Sequence, residues 1–269
     1  MAGNPLGSFI WYELMTPDPD AARTFYGAVT GWSISGTPGA PVPADGIDYR
    51  HIVRTDSGSQ GGVLRLRADM IAGGAQPCWL PYLLVADVDS AVAAITAEGG
   101  HVLMPKMTID VGAFALVTDP FGAPFYVMTP IAPPGMEGHA SDVFSPTAVQ
   151  RVGWNELLSN DLAGARAFYA RHFGFEFNNA MPMGPMGDYC FIDHHGQCLG
   201  AVMQKPDSIA RSGWRMYFRV PDIDTARDAI ASAGGTVQSE PHEVPGGDWV
   251  VHALDPQGAF FGLVGQRHS

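Results

Sequence analysis

Two short segments carry the residue types that could do chemistry. Trp11-Tyr12-Glu13-Leu14 and Trp154-Asn155-Glu156-Leu157 each place an indole and a carboxylate two residues apart. In an extended strand that spacing turns both side chains to one face. The indole offers a flat wall to an aromatic or apolar ligand. A carboxylate beside it, where water is scarce, tends to a raised pKa, which suits a general acid or base. A plainer reading stands beside this one: the Trp side chains fill a core, and each Glu pairs with a local Arg or backbone group.

Other chemistries lack their residues. No Gly-x-Ser-x-Gly nucleophile elbow occurs, and neither Gly61-Gly62 nor Gly73-Gly74 leads into the Lys-Ser/Thr of a phosphate loop. Cys78, Cys190 and Cys198 show no CxxC spacing and read as reduced, buried or incidental thiols. His194-His195-Gly196 reads as a solvated hairpin turn, with metal binding at a pocket rim as the sharper alternative. His51 and His252 fall on strands and have no matching His in the other half of the chain, so each is expected to be a lone, satisfied histidine. Met181-Pro182-Met183-Gly184-Pro185-Met186 reads as a surface loop whose methionines could adapt to apolar ligands.

Composition narrows the partners. The 269 residues are 46% hydrophobic and 16% charged, which is ample for a packed core. The net charge is −12, and the only lysines are Lys106 and Lys205, so no polyanion-binding patch forms. Nucleic acid and anionic membrane are excluded as expected partners, and the acidity reads as a solubility feature. The start of the chain lacks a charged segment followed by an apolar run, and no stretch approaches the roughly 20 apolar residues of a membrane helix. A soluble, cytoplasmic protein is expected, monomer or homodimer, with a small hydrophobic or aromatic molecule as its partner.

The elements that must position these residues occur twice. Arg23-Thr24-Phe25-Tyr26 recurs as Arg166-Ala167-Phe168-Tyr169, and Val85-Ala86-Asp87-Val88-Asp89 as Val220-Pro221-Asp222-Ile223-Asp224. Asp119-Pro120-Phe121-Gly122 recurs as Asp255-Pro256-Gln257-Gly258. Landmarks repeated in one order mean a tandem duplication. The two domains are placed at 1–130 and 149–269, with a Pro/Gly-rich linker over 131–148. In each copy a strand precedes a helix capped by Asp18 or Asp161 and stopped by Gly31 or Gly174, and further strands follow. The order then restarts at Pro81, with a second helix from Asp89 to Glu98. The fold class is α+β: each copy holds two βαβββ units, whose eight strands form a curved half-barrel with helices outside and a pocket on the concave face.

These landmarks resemble the vicinal oxygen chelate superfamily, which includes glyoxalase I, bleomycin-resistance proteins and extradiol dioxygenases. The carriers are Glu13-Leu14, Asp18, Phe25-Tyr26, Gly31-Trp32, Val85-Ala86-Asp87-Val88-Asp89 and Asp119-Pro120-Phe121-Gly122, each echoed in copy two. With Trp-x-Glu-Leu opening both copies, the chain looks most like the two-domain actinobacterial glyoxalase-like antigen and "hydroxylase" subgroup. The resemblance implies a divalent metal held by His, Glu or Gln. The first ligand lies seven residues before each Asp, and the last lies on the closing strand. Those slots here hold Trp11, Leu80 and Tyr126 in copy one, and Trp154, Arg215 and Gly262 in copy two. Neither triple has the lone pairs that an ion needs.

No cofactor is therefore expected, although displaced donors such as His51 or His194 leave a divalent metal open. Tyr82 and Tyr217 follow the second slots by two residues and share their strand face, and Tyr126 and Met128 join them in copy one. The expected ligand wall is Trp11, Trp154, Tyr82, Tyr126 and Met128. The expected acid/base groups are Glu13, Glu156, Tyr217 and Arg215, with Arg215 placed to pair with Glu156. Whether the protein is an enzyme stays open. A metal-free binder of a small hydrophobic or aromatic compound is the leading reading. A lyase, isomerase or hydroxylase and a metal-dependent glyoxalase or dioxygenase are the alternatives.

Overall fold

A computed structural model describes residues 3–43, 46–132, 134–135 and 138–268. Met1 and Ala2 at the start of the chain, and Pro133 of the expected linker, lie outside them. Copy one opens with strand β1 (Phe9–Thr16) and helix α1 (Pro19–Thr30), followed by β2 (Ser33–Ile34), β3 (Tyr49–Val53) and β4 (Ser59–Arg65). After a short helix α2 (Ala68–Ala72) come β5 (Cys78–Leu84), α3 (Val88–Ala97), β6 (His101–Ile109), β7 (Gly112–Thr118) and β8 (Pro124–Pro130). Copy two repeats the order: β9 (Val152–Ser159), α4 (Leu162–Phe173), β10 (Ala180–Pro182), β11 (Asp188–His194) and β12 (Gln197–Gln204). It closes with β13 (Gly213–Asp222), α5 (Ile223–Ser232), β14 (Thr236–Val237), β15 (His242–Glu243), β16 (Trp249–Leu254) and β17 (Phe260–Gln266).

The strands form two mixed sheets, ordered β2-β3-β4-β1-β5-β8-β7-β6 and β10-β11-β12-β9-β13-β17-β16-β14, with β15 added on β16. In each βαβββ module the first strand pairs parallel with the last, as β1 with β4 and β13 with β17, and the other pairings are antiparallel. The tandem α+β duplication expected from the landmarks is what the chain builds.

The repeated aspartates are helix caps. Asp18, Asp87, Asp161 and Asp222 accept from the backbone N–H groups of Ala21, Ser90, Gly164 and Thr225. Each satisfies an otherwise orphaned helix donor. Gly31 and Gly174 end α1 and α4 in the left-handed region, at φ 75° and 70°. Three local readings change. Helix α2 was not expected from its residues. β6 extends well beyond Val102, because it pairs with β7 through Ile109 across two register shifts. The Met181–Met186 segment is not all loop: β10 pairs with β11, and a 3₁₀ turn over Gly184–Met186 follows.

Compact packing groups the modules across the copies. One unit holds Met1–Trp11, Leu80–Asp142 and Asn155–Arg215, and the other holds Tyr12–Trp79, Val143–Trp154 and Met216–Ser269. Each unit is centred on an aromatic cluster threaded by one hydrogen-bond chain. In the first, Trp214 Nε1 donates to the Tyr169 hydroxyl at 3.1 Å, which donates to Asp119 at 3.1 Å. In the second, Trp79 Nε1 donates to the Tyr26 hydroxyl at 2.8 Å, which donates to Asp255 at 3.1 Å. Each Asp also accepts two backbone N–H groups of its own Asp-Pro-x-Gly turn. Burial pushes both carboxyls up while those donors pull them down. Burial holds both phenols well above their ordinary value. The Phe-Tyr and Asp-Pro-x-Gly landmarks thus join a helix of one copy to a turn of the other.

The end of the segment between the copies is pinned at Ser141, Val143 and Ser145. Ser141 exchanges hydrogen bonds with Asn4 and donates to the Ile10 carbonyl. Gln60 donates to the Val143 carbonyl, and Ser145 pairs with Val152.

Candidate functional site

Glu156 lies on β9 opposite Ala201 of β12, and Tyr189 of β11 stands opposite Met203. The small alanine lets the Tyr189 ring cross diagonally, and its hydroxyl donates to Glu156 Oε1 at 3.0 Å. Arg215 Nη1 stands 4.0 Å from Glu156 Oε2. Glu156 is 8% exposed, so the carboxylate is buried against a phenol and a guanidinium. An acceptor held between a neutral donor and a cation can anchor a polar ligand group or exchange a proton with one.

Its counterpart Glu13 is 2% exposed and stands opposite Gly62 of β4. Tyr49, equivalent in register to Tyr189, lays its ring where a side chain at 62 would be: a Cβ there would come within 1.9 Å of the hydroxyl oxygen. Tyr49 also meets His51 edge-on, with ring centres 5.7 Å apart. The Cys78 thiol faces Glu13; burial pushes it up to about 12, and the nearby carboxylate adds to the shift. A thiol so weakly ionised is no nucleophile at neutral pH.

Tyr217 of β13 stands opposite Gly262 of β17, which stands opposite His252 of β16. The Tyr217 ring occupies the space a Cβ at 262 would need, since its carbons would lie 2.1 to 2.6 Å away. Its hydroxyl is 3.1 Å from His252 Nε2. Val250 and Val264 surround the ring, and half-buried Trp154 packs on this cluster. His242 approaches His252 with ring centres 5.6 Å apart. In copy one the same register holds two rings: Tyr82 and Tyr126 stack at 4.1 Å, with Phe114 near both. Met128 is half-buried opposite Phe114, and Trp11 is half-buried two residues before Glu13 on β1.

Three residues absent from the expected set join it. Tyr189 and Tyr49 occupy matching places in the duplicated pattern, a signal available in the sequence. His252 reads in the sequence only as a lone strand histidine. His194 needs correction as a solvated turn residue: it is 5% exposed, and its Nε2 bonds the Leu6 carbonyl at 2.9 Å. The turn is real, but the strand's last inward position buries the first His and leaves His195 at φ 49° outside.

The residues at the slots implied by the vicinal oxygen chelate resemblance do not fit a divalent metal. Indole, alkyl and guanidinium groups and a glycine offer no donors, and the phenol of Tyr126 alone does not make a set. Among the described residues no three His, Cys, Asp or Glu side chains are grouped to hold an ion.

A family model described as the Glyoxalase/Bleomycin resistance protein/Dioxygenase superfamily matches residues 8–127 and again 151–263. The chain belongs to that superfamily. Among its relatives is CFP32 of Mycobacterium tuberculosis, whose name carries the word glyoxylase; it is 31% identical over 258 residues, covering 94% of this chain and 93% of that one. The anthracycline biosynthesis protein DauV of Streptomyces sp. is 28% identical over 275 residues, covering 98% and 94%. Among solved structures, a Mn(II)-bound glyoxalase from Novosphingobium aromaticivorans matches with a TM-score of 0.62 at 15% identity, over 98% of this chain and 83% of that one. The 2,3-dioxygenase LapB of Pseudomonas sp. KL28 matches at 0.62 and 14%, over 100% and 94%. Both share the superfamily fold. No described helix is long and apolar enough to cross a membrane.

Proposed function

We propose that this superfamily member binds a small, flat aromatic compound without a metal ion, using the rings on its sheets as the ligand wall. The observation that carries this reading is the chemistry at the opening metal slots, where half-buried Trp11 and Trp154 replace donors with indole faces. Rings of this kind gain from apolar burial and from offset or edge contacts with a flat ligand. Two relatives, 28% and 29% identical, are named for anthracycline biosynthesis, and an anthracycline is built on fused, oxygenated aromatic rings. Titration of the protein with a hydroxyanthraquinone, followed by Trp fluorescence, tests the reading. Saturable quenching is expected, weakened at least tenfold in Trp154→Ala. Linear, unsaturable quenching contradicts it.

The Glu156 geometry favours a second reading, an enzyme of lyase, isomerase or hydroxylase type. The 3.0 Å bond from Tyr189 and the Arg215 cation hold Glu156 in place as an acid/base group. Arg215 orients it. With a substrate in hand, Glu156→Gln should abolish turnover while binding persists; unchanged turnover removes this mechanism.

A further inference from the structure

The two copies also differ at the end of the sheet. β6 closes the eight-stranded sheet, with β7 on one side and no described strand on the other. Its outer N–H and C=O groups are a template for a further strand. All nine residues of β6 except Met104 are exposed, among them Val102, Leu103, Met107 and Ile109. Copy two guards the same place with two strands of two residues, β14 and β15, and a polar connection, Gln238-Ser239-Glu240-Pro241. In β6, Pro105 and the register shifts beside it interrupt the first half of the strand. The second half is regular: Met107 stands opposite Phe114, Thr108 opposite Ala113 and Ile109 opposite Gly112. Alternation puts Met107 and Ile109 on one face and Lys106 and Thr108 on the other. Lys106 bonds Asp89 of α3 at 2.6 Å, and its ammonium has two further donors. Exposed Asp110 follows at the head of the turn into β7.

We propose that β6 is a homodimer interface, pairing antiparallel with the β6 of a second chain about Thr108. The occupant is a second chain because this strand is its own complement. In that register Met107 meets the partner's Ile109 on one face, and Lys106 comes level with the partner's Asp110 on the other. Both contacts are made twice, as a two-fold axis requires. Apolar and opposite-charge pairs across strands are the stabilising ones. A chain of net charge −12 repels its own kind, so an interface between two such chains needs its cations set against carboxylates. Neighbouring registers lose that match. Centred on Met107 or on Ile109, the pairing sets Lys106 against Thr108 or Gly112, and Asp110 faces no cation.

Sedimentation velocity of the full chain over a range of concentrations at low salt tests the proposal. Wild type is expected to dimerise, and to move towards monomer on dilution. Asp110→Lys sets lysine against lysine at both ends of the pairing, and Lys106→Glu sets carboxylate against carboxylate. Each alone should weaken the dimer about tenfold or more. Both changes lie on the exposed edge, so an unchanged circular dichroism spectrum reports a folded chain. An equimolar mixture of the two variants should dimerise again, since each chain brings the charge that the other lacks. Ile109→Lys should abolish the dimer. A monomeric wild type, a dimer that any of the three variants leaves intact, or a mixture of the two charge variants that stays monomeric overturns the proposal.

Discussion

Tyr26 with Asp255 and Tyr169 with Asp119 make the same bond at the same 3.1 Å, each phenol receiving a Trp N–H. Tyr126 and Gly262, equally matched in register, could hardly differ more: one is a buried ring stacked at 4.1 Å, the other an empty place over which a ring lies. The duplicated chain has kept its copies alike at the centre of each compact unit. It has let them diverge at the positions that would face a ligand. Landmarks shared by both copies therefore report architecture, and function is to be sought where the copies disagree.

The largest effect should come from breaking that disagreement. Tyr126→Ala removes a ring that is 1% exposed and should cost about 3–4 kcal/mol in chemical denaturation, with aromatic-ligand affinity unchanged. Gly262→Ala should cost both stability and binding. Its Cβ would meet the buried Tyr217 ring at 2.1 Å, so the ring must shift, at a cost of about 1–3 kcal/mol, and aromatic-ligand affinity should fall about tenfold or more. If Tyr126→Ala abolishes binding and Gly262→Ala spares it, the roles of the copies are exchanged.

Next come the matched chains. Tyr26→Phe and Tyr169→Phe each strand a buried indole N–H and take one donor from a buried carboxylate that keeps its two backbone N–H groups, at a cost of about 2 kcal/mol apiece. Urea titrations should give the two variants equal losses; a difference above about 1 kcal/mol would mean the units are not equivalent. The same phenols predict an alkaline limit. Burial holds both well above 10.0 in the folded chain, so their contribution is complete below about pH 10. It is lost as pH climbs from there towards the raised folded values, because the unfolded phenols ionise first. Melting temperatures between pH 8 and 11 should fall less steeply in either Phe variant than in wild type. The smallest effect belongs to the caps: Asp18→Ala and Asp161→Ala should each cost about 1 kcal/mol, alike in both copies.

Much of this was legible before any coordinates. Asp18, Asp161, Gly31 and Gly174 announce two helices through local chemistry, and local chemistry needs no fold to act. The bond from Tyr26 to Asp255 was not legible, because it depends on which module packs on which, and both residues read equally well as a pattern internal to one copy. Glu156 was found by alternation along its own strand. Tyr189 was not, since its reach to Glu156 depends on the register across β12 and on the small size of Ala201. His252 lacked a counterpart in copy one, and that asymmetry read as insignificance until the pairing through Gly262 set it against Tyr217.

The central claim is that rings have taken over from a metal. It is tested most directly by measuring hydroxyanthraquinone binding before and after exhaustive dialysis against a chelator. The account predicts the same affinity and stoichiometry in both samples, whereas binding that disappears with the chelator and returns with Mn²⁺, Fe²⁺ or Zn²⁺ would contradict it.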